Sequence, residues 1–225
     1  MLKARLCQAT AVLLFLLSLF IAAPVIARAG EPESIGARIS TLGVGGEFGY
    51  KLSSHWSARA IINGYNYNYD DTNDNIHYRG KLKLASGGLQ VDYRFAETGP
   101  LYVTAGLYAN NNKIRATANP TQNTDIGGLT FTPAQIGTLT SNAKFKGAAP
   151  YLGIGARWPI GHVAFNIEAG AYFQGKPQVA LVSNGTLASD PTYQAALETE
   201  RLGLQQDLNN YKTYPVVSLG LSYHF

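Results

Sequence analysis

Toward the C-terminus large apolar residues alternate with small or polar ones. Val217, Leu219, Leu221, Tyr223 and Phe225 fall on one face of a strand, and Ser218, Gly220, Ser222 and His224 on the other. The same alternation recurs upstream. Over 42–52, Leu42, Val44, Phe48, Tyr50 and Leu52 oppose Gly43, Gly45, Glu47, Gly49 and Lys51. Over 101–112, Leu101, Val103 and Leu107 oppose Tyr102, Thr104, Tyr108 and Asn110, and over 163–174, Val163, Phe165, Ile167 and Phe173 oppose Asn166, Glu168, Tyr172 and Gln174. Strands are therefore expected at 44–52, 56–69, 77–95, 101–113, 142–158, 163–182 and 211–225. Seven strands cannot close a bacterial single-chain barrel, which has an even number. Residues 35–41 supply the eighth. There Ile35, Ala37 and Ile39 face outward at odd positions, whereas Val44, Phe48 and Tyr50 do so at even ones. A two-residue turn at Leu42-Gly43, pairing Thr41 with Val44, changes the phase in this way; a β-bulge would too, and the turn is preferred. The outward phase also changes inside 77–95, from Leu82 and Leu84 to Leu89, Val91, Tyr93 and Phe95, which predicts a bulge at Ser86-Gly87-Gly88.

Alternation alone does not separate a soluble sandwich from a membrane barrel, since either has one apolar sheet face. The connections do. Residues 53–55, 96–100 and 159–162 are short, whereas 70–76, 111–142 and 183–210 are longer, the asymmetry between the periplasmic and outer ends of an outer-membrane barrel. Aromatics crowd the short-turn end: Tyr50, Trp56, Tyr93, Phe95, Trp158, Phe165, Tyr223 and Phe225. Amphipathic rings placed there form an interfacial girdle. In the last long connection Asp190 precedes a helix-starting Pro191, and Leu197, Leu204 and Leu208 follow at helical spacing, so a short amphipathic helix is expected at the outer mouth. The expected fold is an all-β, eight-stranded antiparallel transmembrane barrel with a short helix in its last outer loop.

Residues 1–29 read as a cleaved secretory signal, leaving 30–225 as one barrel domain. Lys3 and Arg5 precede an apolar stretch, and Ala27-Arg28-Ala29 is an A-x-A cleavage site. The apolar stretch is about 13 residues, short of the roughly 20 that span a bilayer. Cys7 leaves with the signal, and the remaining chain has no thiol chemistry. So do Lys3, Arg5 and Arg28, which reduces the 18 cations to 15 against 14 acids, a net charge of +1. Nothing in that balance marks a nucleic-acid partner. A strand that ends on outward Leu219, Leu221, Tyr223 and Phe225 resembles the C-terminal signal by which outer-membrane barrels are recognised for assembly. The partners expected are outer-membrane lipid and the barrel-assembly machinery, and the location is the bacterial outer membrane.

The strand phases place Glu47, Lys51, Arg59, Asp92, Arg94, Arg157 and Glu168 inside the barrel, mostly near its short-turn end. Charges in a narrow interior must pair or stay hydrated. Two readings follow: a salt-bridge network that closes the barrel, or a path whose paired charges part for a zwitterionic or cationic solute. Asp70, Asp71 and Asp74 form an acidic loop expected at the outer mouth, placed to attract cations. Catalysis is not indicated, because His55, His77, His162 and His224 have no serine partner at a recognisable spacing. No residue cluster has metal-ligand spacing, and no cofactor is expected.

Ala149-Pro150-Tyr151-Leu152-Gly153-Ile154-Gly155, then Glu168-Ala169-Gly170-Ala171-Tyr172 with Gly175, Pro177 and Val179, resemble the carbapenem-associated ornithine-uptake barrels of the CarO type. Gly64-Tyr65-Asn66 with the acidic loop after it, and Asn210-Tyr211-Lys212 with Pro215-Val216, are similar as well. The resemblance covers most of the chain after the signal. It implies an eight-stranded outer-membrane barrel proposed to pass ornithine and other basic amino acids, with a disputed link to carbapenem uptake. The chain departs from that family by ending on Phe rather than Trp and in its middle loops. Three functions follow: a narrow passive channel for small polar solutes such as ornithine; a closed barrel whose outer loops, above all 126–140, bind a partner or surface; and a lateral route for apolar molecules, against which the charged lumen argues.

Overall fold

The computed structural model describes residues 30–73 and 76–225; the expected signal segment and Asp74 lie outside them. Eight strands close the barrel: β1 (Glu31–Ser40), β2 (Gly43–Lys51), β3 (Trp56–Asn73), β4 (Ile76–Arg94), β5 (Leu101–Asn110), β10 (Ala148–Ile160), β11 (Val163–Tyr172) and β13 (Tyr214–His224). Each pairs antiparallel with its neighbour in that order, and β13 returns to β1 through Ser40↔Ser218 to Ser34↔His224. Closure pairs both edges of the strands within the barrel proper, which hydrocarbon requires. The outward positions are Ile35, Ile39, Val44, Phe48, Ile62, Leu89, Leu107, Leu152, Ile154, Val217, Leu219 and Leu221, all exposed. Such a belt is the surface of a transmembrane barrel. At its inner end Trp56 packs on Tyr93 (4.9 Å), Tyr93 on Phe95 (5.8 Å), Trp158 on Phe165 (6.1 Å) and Tyr223 on Phe225 (6.0 Å).

The first outer turn is Thr41-Leu42 rather than Leu42-Gly43, and it pairs Ser40 with Gly43 rather than Thr41 with Val44. The outward set is unchanged, because Ile39 still opposes Val44. The one-residue displacement follows from Leu42, which is buried inside the outer end of the barrel, and from Gly43, whose φ of 108° suits glycine.

The expected strands 142–158 and 163–182 are interrupted, and the segment 111–142 expected as a long connection contains a further strand; together these form a second storey. Strand β6 (Lys113–Pro120), β9 (Leu139–Lys144) and β12 (Gln178–Ser183) add in sequence to the outer half of β4. The ladder does not change register across the first two gaps. Ser86↔Asn110 and Lys83↔Lys113 lie on one register of β4 with β5 and then β6, and β10 and β9 likewise share one register against β5 and β6. The barrel is thus tall on the side of β3, β4, β5 and β10 and low where β13, β1 and β2 meet. The described part of the segment expected as an acidic loop, 70–73 and 76, belongs to this wall: β3 and β4 remain paired out to Asn73↔Ile76.

The expected bulge at Ser86-Gly87-Gly88 is absent, since β3 and β4 keep one register from Trp56↔Tyr93 to Asn73↔Ile76. The apolar face changes because the surroundings change. Below the rim the inner face of β4 meets polar lumen residues; above it, the inner face of the wall meets helix. The helix expected in the last outer loop is present: α2 (Pro191–Leu208) spans 18 residues, and Asp190 caps it by accepting from Tyr193 N at 3.0 Å. Its Tyr193, Ala196 and Leu197 pack with Leu139 and Leu181 of the wall. Ile126, Phe131 and Ile136 join that core from the small hairpin β7 (Thr124–Ile126) and β8 (Leu129–Phe131) and the one-turn helix α1 (Pro133–Ile136). The segment 126–140 is therefore a packed part of the second storey rather than a free loop.

Candidate functional site: the barrel lumen

Inward positions of β2, β4, β5 and β11 converge on one side chain, Arg59 of β3, which is 2% exposed. Its Nε and Nη2 donate to the two oxygens of Asp92 at 2.6 and 2.9 Å. Nη2 also donates to Glu168 Oε2 at 2.6 Å, and Nη1 to Glu47 Oε2 at 3.3 Å. The planar guanidinium serves three carboxylates because its donors fork in fixed directions. Its plane also lies over the Tyr102 ring, 5.2 Å from the centroid. Glu168 is the second hub. It accepts from Tyr102 OH (3.0 Å), Tyr151 OH (2.9 Å) and Gln90 Nε2 (3.4 Å), and lies 3.6 Å from Arg38 Nη2.

Arg38 reaches Glu47 at 3.5 Å and Ser218 Oγ at 2.8 Å. Toward the inner end Arg157 stands 3.9 Å from Asp92 and 3.4 Å from Glu33, which also pairs with Arg94 at 3.1 Å. Arg38, Arg59, Arg94 and Arg157 thus face Glu33, Glu47, Asp92 and Glu168, a balanced set.

Six of the seven expected lumen charges meet in this network; Lys51 does not. It has the inward phase but lies at the inner rim of the barrel, exposed and 3.6 Å from Glu31. Two participants escaped the sequence reading. Arg38 follows from the phase that sets Ile39 outward. Glu33 does not, because it has outward parity and is turned inward by the register shift between Pro32 and Ser34.

On the outer side of the charges an apolar plug fills the lumen: Leu42, Ile61, Tyr108, Ala149, Tyr151, Tyr172 and Val216. The rings fit because glycine stands beneath them. A Cβ at Gly155 would collide with Tyr102, and one at Gly88 with Tyr108. Above the plug, Leu82, Leu84, Asn112, Ile114, Phe145, Gln174, Leu208, Tyr211 and Tyr214 line a vestibule of about 360 Å³ between the wall and the end of α2. Ser57, Asn63, Gln90, Thr104 and Asn110, all inward, each keep a buried side-chain atom without a protein partner. A polar column therefore runs beside the ion pairs.

Of the expected mouth acids, Asp70 lies 3.2 Å from Arg79 and Asp71 accepts from Tyr69 OH at 2.5 Å. Both stand on the exposed outer part of β3 and neither lines the lumen or the vestibule. Leu219, Leu221, Tyr223 and Phe225 project outward from the C-terminal edge, with Ser218 and Ser222 inward. Among the described residues no group of three or more His, Cys, Asp or Glu is disposed to hold a metal ion.

Against solved structures, the chain aligns with the crystal structure of Acinetobacter baumannii CarO2 at 23% identity and a TM-score of 0.62, over 88% of this chain and 100% of that one. Acinetobacter baumannii CarO aligns at 24% identity and 0.59, over 86% and 98%. Its fold is similar to that of CarO. An alignment of that length takes in the second storey as well as the barrel. No protein-family model matches the sequence, and none of the curated proteins is similar to it.

Proposed function

We propose that this chain is a bacterial outer-membrane barrel that passes small polar solutes, with ornithine and other basic amino acids as the first candidates, and that Arg59 and its three carboxylates form the closed gate. The observation that carries the reading is the charge-balanced, polar interior with buried polar atoms that no protein group satisfies. A barrel that only had to be filled would be more stable with apolar side chains, since buried ion pairs often break even at best. A balanced set of charges also matches a zwitterion, whose ammonium and carboxylate replace the partners they separate. In this reading residues 1–29 are removed, the barrel-assembly machinery reads the C-terminal strand, and Leu219, Leu221, Tyr223 and Phe225 are what it reads.

A second reading, a closed barrel that serves its outer storey, is favoured by the plug, whose side chains are all nearly inaccessible. The two are separated by uptake of labelled ornithine into liposomes carrying the refolded protein, with glutamate and glucose as comparison solutes. Ornithine uptake above both comparisons, lowered or deregulated by Arg59→Met, supports the channel. Equal exclusion of all three by folded protein favours the closed barrel.

A further inference from the structure

The two faces of the tall wall differ. The inner face carries Leu82, Ile114, Ala143 and Val179 and is covered by α2 on its β9 and β12 side. The outer face is basic. Alternation along β4 sets Lys81 and Lys83 on the same side as lipid-facing Leu89. Pairing then aligns Lys83 with Lys113 of β6 and Lys113 with Lys144 of β9, and in the next row Lys81 with Arg115. All five are exposed, and among the described residues none is in an ion pair. Like charges directly opposite on adjacent strands, about 4.8 Å apart, destabilise a sheet unless an anion lies across them.

Their height above the girdle identifies the anion. Lys83 is ten residues from Tyr93 along β4, or about 33 Å of strand at 3.3 Å per residue. A tilt of about 40° reduces that to about 25 Å along the barrel axis, the height of the apolar band of an outer-membrane barrel. The row Lys83, Lys113 and Lys144 therefore lies where the hydrocarbon of the outer leaflet ends and its headgroups begin. Lys81 and Arg115 lie one step further out. The face continues the lipid-contacting surface of the barrel without a break in the ladder, so its neighbour is the surrounding leaflet.

We infer that the outer face of β4, β6 and β9 is a binding site for phosphate-bearing headgroups of the outer-leaflet glycolipid, held by Lys83, Lys113 and Lys144 with Lys81 and Arg115 beside them. It rests on the orientation of the barrel in its membrane and is independent of whether a solute passes through the lumen.

The test uses the refolded protein in detergent micelles, titrated with fluorescent bisphosphorylated lipid A and with the same lipid after removal of both phosphates. Wild type binds the bisphosphorylated form at least tenfold more tightly, and binding weakens as salt is raised. The triple substitution Lys83→Gln, Lys113→Gln, Lys144→Gln weakens binding about a hundredfold, as expected for three cations at an anionic surface. Lys-to-Arg changes at the same three positions retain it, and Lys51→Gln with Lys212→Gln leaves it unchanged. Unaltered heat-modifiable gel mobility identifies folded variants. Equal binding of the two lipids, or equal binding by the Gln triple variant and wild type, overturns the inference. So does displacement of lipid A by inorganic phosphate at equal concentration, which would make this a site for the free ion.

Discussion

Replacing Arg59 with Met removes the hub of the lumen while keeping much of its apolar volume. Three carboxylates lose a partner, and they lose unequally. Glu168 retains Tyr102, Tyr151 and Gln90, and Glu47 retains Arg38 at 3.5 Å, but Asp92 is left with Arg157 at 3.9 Å. Both Arg59 and Asp92 have side chains only 2% exposed, so water does not compensate. Removing one member of such a pair costs about 3–5 kcal/mol, two to three and a half orders of magnitude in the unfolding equilibrium. Urea unfolding in lipid vesicles, followed by tryptophan fluorescence, measures it. The double change Arg59→Met with Asp92→Asn is expected to cost less than the sum of its parts, because the orphaned charge is gone. A loss below about 1 kcal/mol for Arg59→Met, the value of a solvated surface pair, would refute the reasoning and show that the lumen is wet around Arg59.

Leu42→Ala empties the outer plug at a nearly inaccessible position and is expected to lower stability by about 2–5 kcal/mol in the same unfolding assay. Gly155→Ala drives a methyl into the Tyr102 ring, with an expected cost of about 1–3 kcal/mol and a changed near-ultraviolet tyrosine signal. Asp190→Ala removes the cap of α2, at about 1 kcal/mol; limited proteolysis between 184 and 213 should accelerate while barrel unfolding in urea stays the same.

The barrel was legible because one face of each strand meets lipid, so that a slip of one residue would expose every inward charge to hydrocarbon. Phase alone placed Glu47, Arg59, Asp92 and Glu168 together. Depth was not legible in the same way: Lys51 has the same phase as Glu47 but sits in the last paired row of β2, where its side chain is exposed. Glu33 was hidden because a bulge cancels its parity. The second storey was hidden for the opposite reason. The ladder runs through the gap at 145–147 in unchanged register, so β9 and β10 read as one strand, 142–158, whereas β6, with small and polar Ala116, Thr117, Ala118 and Asn119, read as part of the connection 111–142. What changes there is the partner of the inner face, from lumen charges to α2. The apolar Leu82 and Leu84 consequently read as an outward phase and a false bulge.

The unequal height of the barrel has a consequence for how a molecule finds its mouth. On the low side the rim consists of the Thr41-Leu42 turn and the start of β13 at Tyr214, and a hollow of about 350 Å³ opens there between Ile39, Thr41, Val44, Tyr65, Leu84 and Tyr214. Opposite it stands the tall wall, with α2 packed against its inner face. The rim is therefore lowest on the side of β13, β1 and β2. If the barrel passes solutes as proposed, one that first adsorbs to the cell surface and searches it in two dimensions meets this low rim more often than one that arrives from bulk water.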